Sequence, residues 1–404
     1  MKTAKHTLIW KQILCMALAL TMLILTACVA KGGTVSEGSG TDGASTGVDL
    51  NEDIPVSEAP EVPELAESTR SDLSYNGSCG KRLHWSFRPE TGVLSVTGSG
   101  AMDDAAYDRD DMCFFMPWHC FYDQITAVEL PEGMTSIGKY AFYGCSALER
   151  VTVPEGVTGI GQCAFGECTA LECIILPDSV TTIGHDAFCG CTALTGVILP
   201  KGLKRIEENL FEKCSALTSV TIPDGVKHIG DFAFAWCSAL TDVNIPAGVT
   251  SVGQNAFLDC GALTSVTIPQ GVDSIGEGVF MGCKALNDVA IPDSVTSIGD
   301  YAFTDCRSLT SVTIPDSVTG IGDMAFHGCR SLTSVTIPDS VTGIGSSMFS
   351  NCSALVDVTV PDSVLAMEAL GFEGSEQGAI TFHGASDSAA QSFAEENGFN
   401  FVAD

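Results

Sequence analysis

The stretch Pro292-Asp-Ser-Val-Thr-Ser-Ile-Gly-Asp-Tyr-Ala-Phe-Thr-Asp-Cys-Arg-Ser-Leu-Thr-Ser-Val-Thr-Ile314 is the best-formed copy of a 23-residue unit that repeats along most of the chain. Three residue types return at this period. Proline recurs from Pro131 to Pro361, cysteine from Cys145 to Cys352, and phenylalanine from Phe142 to Phe349. Self-similarity at a fixed period of this length is typical of solenoids, in which each unit stacks on the next.

One part of the unit has the pattern of a half-buried strand. In Leu309-Thr-Ser-Val-Thr-Ile314 the apolar residues Val312 and Ile314 alternate with Thr313, as in a strand with one face in the core. Pro315 ends the strand because it lacks the N–H that a β-ladder needs. Asp316 and Ser317 then supply residues that favour a turn.

The rest of the unit returns the chain to the next strand. Val318 and Ile321 are expected to point inward, on a second short strand. Asp323 is placed to cap one helical turn that carries Ala325 and Phe326.

No unit of this size can bury its apolar face alone, whereas stacked units bury a continuous core. The sequence therefore predicts an α/β repeat solenoid. It is expected to be a right-handed stack of about eleven 23-residue repeats that form a parallel β-sheet, with short strands and single-turn helices. Residues 125–374 form the solenoid in this prediction. Residues 75–124 form an N-terminal β-rich cap, and residues 375–404 form a strand–helix–strand cap at the other end.

The N-terminal segment is expected to lie outside the fold. Residues 1–27 combine basic residues with an apolar run of signal-peptide length. The run ends in Leu25-Thr-Ala-Cys28, which resembles the lipobox of bacterial lipoproteins. That resemblance implies acylation of Cys28 and anchorage in a membrane. Residues 28–74 are rich in Gly, Ser, Pro and acidic residues, which favours a flexible tether.

Composition and motifs exclude several functions. The net charge of −31 argues against nucleic acid as a partner, since phosphate backbones would be repelled. The sequence contains no H-E-x-x-H or P-loop motif, and its one G-x-S-x-G match, Gly43-Ala-Ser-Thr-Gly47, lies in the predicted tether, so we expect no enzyme and no cofactor.

The cysteines are mostly expected to be structural. No C-x-x-C occurs, and a 23-residue spacing stacks thiols in a row, so we expect no metal site. The ten column cysteines are interpreted as buried small hydrophobes. A bridge among Cys79, Cys113 and Cys120 of the N-terminal cap stays open.

The exposed face of the sheet is the candidate binding surface. Its outward positions are monotonous Thr and Ser in the C-terminal half and varied in the N-terminal half, although drift at exposed positions would give the same pattern. A second contact is a tryptophan on an exposed turn. The candidate ligand-binding residues are Glu129, Arg150, Thr152, Glu172, Ile175, Ile198, Asp242 and Asn244 on the sheet, with Trp236 on the turn.

The chain resembles the BspA-like branch of the leucine-rich repeat family over about residues 75–404. Besides the repeat unit, the resemblance rests on Cys79-Gly-x-x-Leu-x-Trp85, Gly98-Ser-Gly-Ala-Met102, Pro117-Trp118 and Ser388-Ala-Ala-x-x-Phe-Ala394. It implies a bacterial surface protein, and some members of that family are adhesins.

The resemblance and the lipobox together suggest a lipid-anchored, monomeric cell-surface protein that presents its solenoid to a protein or glycan on another cell, a matrix or the envelope. The alternative is a structural envelope or spacer protein that self-associates through its regular Thr/Ser face.

Overall fold

The computed structural model describes residues 75–108, 113–342, 345–364, 367, 369–372, 374 and 379–404. The predicted signal peptide, the lipid attachment residue Cys28 and the predicted tether lie outside the described residues. No helix in the described ranges is long and apolar enough to cross a membrane.

The repeats form two columns of short parallel strands. Strands of the first column are β6 (Ala127–Glu129), β8 (Arg150–Thr152), β10 (Cys173–Ile175), β12 (Gly196–Ile198), β14 (Ser219–Thr221), β16 (Asp242–Asn244), β18 (Ser265–Thr267), β20 (Asp288–Ala290), β22 (Ser311–Thr313), β24 (Ser334–Thr336) and β25 (Asp357–Thr359). Strands of the second column are β7 (Gly133–Ile137), β9 (Gly159–Ile160), β11 (Thr182–Ile183), β13 (Arg205–Ile206), β15 (His228–Ile229), β17 (Ser251–Val252), β19 (Ser274–Ile275), β21 (Ser297–Ile298) and β23 (Gly320–Ile321). The predicted solenoid with a stacked parallel sheet is confirmed.

Register in both columns follows the 23-residue period. In the first column Val220 of β14 lies opposite Val243 of β16, and in the second Ile206 of β13 lies opposite Ile229 of β15. The middle residue of most first-column strands is buried and its two neighbours are exposed. This is the alternation expected of strands with one face in the core.

The helical turn predicted in each repeat is wrong. The segment that follows β23 is a series of turns, and Met324 has a φ of 54°, in the left-handed region that a right-handed helix excludes. Its backbone N–H groups bond to the next repeat, since Met324 N donates to Ser346 O at 2.9 Å and Phe326 N donates to Met348 O at 3.1 Å. Asp323 does not cap a helix either, because its Oδ1 accepts from Ser346 N at 2.9 Å, one repeat further on.

A column of phenylalanine rings runs through the core of the stack. From Phe142 to Phe372 successive rings lie 5.2 to 5.8 Å apart between centroids, with interplanar angles of 4° to 25°. Trp118 extends the column at its N-terminal end, with its ring stacked on Phe142 at 5.7 Å. At the other end Phe372 meets Phe382 edge-on at 5.1 Å. Aromatic side chains therefore close the column at both ends.

The N-terminal segment is rich in β-strands. Strands β1 (Tyr75–Gly80), β2 (Leu83–Arg88) and β3 (Val93–Ala101) are antiparallel in sequence order. β3 then pairs in parallel with both β6 and β7, so it starts both strand columns. The remaining elements are β4 (Ala106–Asp108), β5 (Cys113–Phe115) and a 3₁₀ turn at His119–Phe121.

The C-terminal segment continues the first column. A 3₁₀ turn at Ala369–Phe372 precedes β26 (Thr381–Gly384), helix α1 (Ala389–Asn397) and β27 (Asn400–Ala403). β26 pairs with β25 and with β27, all in parallel. Helix α1 begins at Ser388, whose hydroxyl accepts from Gln391 N at 3.2 Å, and ends at the left-handed Gly398.

Removal of one ring from the phenylalanine column is expected to destabilise the whole stack. Phe257 is fully buried between Phe234 and Phe280. Phe257→Ala should lower the free energy of unfolding by about 3 to 5 kcal/mol, because it removes apolar contacts and leaves a cavity. Denaturant unfolding followed by circular dichroism measures the change. Thr267→Ala, on the exposed face of β18, is the control and should change it by no more than about 0.5 kcal/mol. A loss below about 1 kcal/mol for Phe257→Ala would contradict the role assigned to the column.

Candidate binding sites on the solenoid surface

The structure places the sheet residues of the predicted binding surface on one exposed face. All eight are exposed, and Glu172 directly precedes β10 while the others lie within first-column strands. Parallel register aligns Arg150 with Cys173 and Thr152 with Ile175, one residue per repeat. The eight residues therefore lie in neighbouring rows of the same sheet.

Two isoleucines form an apolar patch on this face. Ile175 is 43% exposed and Ile198 is 49% exposed, which is unusual for side chains of this size. The register that pairs Cys173 with Gly196 places Ile175 beside Ile198. Charged residues nearby already have partners within the chain: Ser95 donates to Glu129 at 2.6 Å, and Arg150 lies 3.6 Å from the Glu149 carboxylate. The sheet face thus offers a small apolar contact area with polar surroundings.

Trp236 does not belong to this face. It lines a groove of about 530 Å³ on the turns that precede the first-column strands. The groove is lined by Thr192, Lys213, Ser215, Trp236, Ser238, Asp259, Gly261 and Lys284. The predicted sheet contacts and the predicted tryptophan contact are therefore two separate surfaces.

The indole of Trp236 is held between two neighbours. The Phe232 ring stacks on it with centroids 6.3 Å apart and an interplanar angle of 12°. The Lys213 ammonium lies 5.7 Å from the indole centroid, within the range of a cation–π contact. Lys213 Nζ also lies 3.1 Å from Glu212 Oε1, and this hydrogen bond raises the pKa of Lys213. A charged and an aromatic side chain are thereby fixed side by side, with the indole still 37% exposed.

Lys213 and Trp236 are unusual among the residues that directly precede the column cysteines, because of their backbone geometry. Both precede a column cysteine, and both have left-handed φ values, 61° for Lys213 and 60° for Trp236. Other repeats meet the same geometry with glycine or with Asp and Asn, residues that tolerate it best. These other members are Gly144, Gly190, Asp259, Gly282, Asp305, Gly328, Asn351 and Gly374, while Glu167 is a further exception. A bulky side chain in this conformation carries backbone strain, as also at Tyr140, Phe232, Tyr301 and Met324 elsewhere in the repeats.

A second cluster lies next to this groove. Asp186 and Cys189 come from one turn and Glu212 from the next, and one ligand atom from each lies within 4.8 Å of the other two. Cys189 Sγ donates to Glu212 Oε2 at 3.5 Å. Burial, together with the nearby carboxylates of Glu212 and Asp186, raises the pKa of the Cys189 thiol to about 12. The sequence-based expectation of no metal site overlooked this group.

The column cysteines are buried, and they also donate hydrogen bonds. Cys168 Sγ donates to Phe142 O at 3.1 Å, and the same bond recurs up to Cys352, whose Sγ donates to Phe326 O at 3.2 Å. Burial raises the pKa of the Cys352 thiol to about 12. In the N-terminal cap Cys79 and Cys120 are free thiols, so neither forms the bridge considered there.

Sequence reasoning missed Lys213, Lys284 and the Asp186–Cys189–Glu212 cluster, although a signal for each exists. Lys213 and Trp236 stand one period apart at a position that most other repeats fill with glycine, aspartate or asparagine. Cys189 and Glu212 also stand one period apart, and residues at equal phase become neighbours in a stack. A comparison of residues that hold the same position in successive repeats, extended beyond the cysteine column, would have identified both groups.

Comparison with known proteins identifies a repeat family. The sequence profile described as "BspA type Leucine rich repeat region (6 copies)" matches residues 116–215, 160–287, 204–321 and 273–396, which together span most of the chain. No curated protein matches the sequence.

Several solved structures resemble the chain. A leucine-rich cell surface protein from Faecalibacterium prausnitzii A2-165 is 28% identical, with a TM-score of 0.48, over 80% of this chain and 97% of that one. A leucine-rich repeat protein from Eubacterium ventriosum is 26% identical, with a TM-score of 0.47, over 75% of this chain and 95% of that one. One from Bacteroides ovatus is 26% identical, with a TM-score of 0.42, over 70% of this chain and 94% of that one.

Burial of the column thiols predicts a strong contrast in reactivity. The Cys352 thiol, with a pKa of about 12, is thiolate in about one molecule in ten thousand at pH 8, and burial raises the pKa of the other column thiols, such as Cys260, in the same direction. Iodoacetamide at pH 8 should therefore label the exposed Cys120 in the native protein and spare the column until denaturant is added. Peptide mass spectrometry reads the label at each cysteine. Labelling of Cys260 in the native protein as fast as Cys120 would show that the column is not closed to solvent.

Proposed function

This chain belongs to the BspA-type leucine-rich repeat family, and from that premise we propose that it is an exported, lipid-anchored surface protein that binds a protein or glycan ligand. Its solenoid displays the binding surface and its N-terminal segment attaches it to a membrane. It works by recognition, without a catalytic step.

The N-terminal sequence supports the anchoring part of the proposal. Leu25-Thr-Ala-Cys28 stands at the end of an apolar run that follows basic residues, the order found in lipoprotein signal peptides. Acylation at Cys28 would leave residues 28–74 as the connection to the solenoid. Attachment through more than one acyl chain is lasting, whereas one chain binds only reversibly.

The pair of Lys213 and Trp236 is the observation that carries the binding part. The position they occupy accepts glycine or asparagine with less backbone strain than lysine or tryptophan. The two residues occupy neighbouring repeats, contact each other and line the same groove. An exposed indole held beside an ammonium group is a surface suited to binding a ligand.

The groove defines the chemistry of its ligand. Lys213 and Lys284 stand along it, 3.1 Å from Glu212 and 4.0 Å from Asp259, in a protein whose net charge is −31, so its lining is less acidic than the chain as a whole. Trp236 supplies apolar and aromatic area, and Ser215 and Ser238 supply hydroxyl groups. A ligand with an apolar face and a carboxylate or sulfate fits these groups, and both acidic glycans and acidic peptides have that character.

The structural alternative uses the other end of the sheet. The outward rows are Ser and Thr in β22 and β24, a regular surface that suits contacts between like molecules. Light scattering at rising concentration separates the two functions, because the spacer role requires self-association and the binding role does not.

Loss of the indole should abolish binding and leave the fold intact. Trp236→Gly removes the aromatic contact and also relieves the left-handed strain, so we expect stability to change by no more than about 1 kcal/mol. Glycan and protein arrays probed with the mature chain identify a ligand, and binding of that ligand by the variant should fall at least tenfold. Asp305→Gly, at the same position three repeats further on, is the matched control and should bind normally. Equal binding by both variants would exclude the groove as the ligand site.

Anchorage depends on one residue in the proposal. Cys28→Ala should move the protein from the membrane fraction to the soluble fraction, because the acylated sulfur is removed. Fractionation of cells that express each form, followed by immunoblotting, measures the shift. Ser39→Ala, in the predicted tether, is the control and should stay in the membrane fraction. A Cys28→Ala protein that still sediments with membranes would refute lipid attachment at this position.

A further inference from the structure

The cluster of Asp186, Cys189 and Glu212 has the composition of a metal site. It offers one thiol and two carboxylates, each half-buried, from two adjacent turns. Asp186 and Cys189 are three residues apart in one turn, where Cys189 N donates to Asp186 O at 3.1 Å. Glu212 holds the same position as Cys189 in the next repeat, and the backbone fixes this offset because Gly190 N donates to Glu212 O at 2.8 Å. The three ligands are thus set by the repeat itself.

The distances suit a small tetrahedral ion. A zinc ion with a Zn–S bond of about 2.3 Å and a Zn–O bond of about 2.0 to 2.2 Å separates its sulfur and oxygen ligands by about 3.5 Å. The separation of Cys189 Sγ from Glu212 Oε2 is 3.5 Å. All three candidate ligand atoms lie within 4.8 Å of one another.

Neighbouring residues leave the ligand atoms available and orient them. Lys213 Nζ binds Glu212 Oε1 at 3.1 Å, and Oε2 is left facing the Cys189 thiol. His185 Nδ1 bonds to Asp186 Oδ2, so the Asp186 carboxylate is held from the outer side. Supporting contacts of this kind fix the orientation of metal ligands in proteins.

Charge explains why the cluster favours a cation. Two carboxylates lie beside a thiol that is partly removed from water, and together these raise its pKa. A divalent ion at the centre of the three ligands would offset the repulsion between the anions and stabilise the thiolate. Lys213 supplies one positive charge, at the outer oxygen of Glu212 only.

We propose that Asp186, Cys189 and Glu212 bind a divalent transition-metal ion, with Zn²⁺ as the best fit among common ions. A thiolate ligand selects against Ca²⁺ and Mg²⁺, which take oxygen ligands. Three protein ligands leave a fourth position open to water or to a donor atom from outside. The site stands next to the groove of Trp236 through Lys213 and Glu212, yet it does not depend on the binding function proposed there.

Binding changes the protonation of one group. The Cys189 S–H bond breaks, its proton passes to solvent, and the sulfur electron pair forms the metal–sulfur bond. Both carboxylates bind the ion without a change of protonation. One proton is therefore released per metal ion.

The test uses the mature chain after reduction and dialysis against a chelator. Titration with Co²⁺ should give the near-ultraviolet absorption of a Co–thiolate bond with a stoichiometry of one, and Zn²⁺ should displace it. Calorimetry with Zn²⁺ in two buffers of different ionisation enthalpy should report release of one proton. Cys189→Ala should remove the thiolate band, and Glu212→Gln should weaken binding at least tenfold.

The control variant is Cys173→Ala, which removes a partly exposed cysteine outside the cluster and should bind as the parent does. Thermal unfolding without metal verifies that each variant is folded. The proposal is overturned if the Co–thiolate band survives in Cys189→Ala, if it is lost in Cys173→Ala, or if the parent chain shows no such band at millimolar Co²⁺.

Discussion

The hydrogen bonds that join each repeat to the next are the constraint on which the rest of the structure depends. They are formed by the strands and also by the turns, as where Phe257 N donates to Val279 O at 3.0 Å and Gly253 N donates to Ile229 O at 2.8 Å. A repeat with one residue more or fewer would shift its donors away from their acceptors, and buried unpaired backbone groups are costly. The strict 23-residue spacing of proline, phenylalanine and cysteine follows from this requirement.

Constant spacing places identical side chains on top of one another, which explains the choice of core residues. Phenylalanine rings at 5.2 to 5.8 Å stack with nearly parallel planes along the core. The Phe carbonyl accepts the N–H of the cysteine three residues on, as Phe257 O does from Cys260 N at 3.2 Å, and a thiol from the next repeat adds a second bond, as from Cys283 Sγ at 3.2 Å. Cysteine suits this position because it is small and apolar enough to be buried and still carries a weak donor.

The sequence was sufficient to predict the stack and the inward rows, because burial follows the period directly at residues such as Val312 and Phe326. It did not reveal the conformation of the turns. Asp323, Ala325 and Phe326 have the spacing of a capped helical turn, but their backbone partners lie in the next repeat, and composition alone does not distinguish these two ways to pair a backbone. Alternation along the strands predicted which sheet residues are exposed. The groove and the cluster at Cys189 combine side chains of adjacent repeats. They can be recognised in the sequence only when residues at the same position of successive repeats are compared.

The turns of a solenoid are suitable for a functional site. The reason is the inter-repeat hydrogen bonding that also makes the core regular. Backbone bonds between repeats hold each turn, so a turn residue can change with little effect on the core, and neighbouring turns bring their side chains to a fixed mutual distance. Residues 186–236 use this freedom most strongly, with Cys189, Glu212, Lys213 and Trp236 in positions that other repeats fill with unrelated or smaller residues. Glu212 contacts Cys189 through one carboxylate oxygen and Lys213 through the other, and Lys213 in turn covers the Trp236 indole. Side chains from three successive repeats are thereby joined into one continuous surface, which a single repeat could not form.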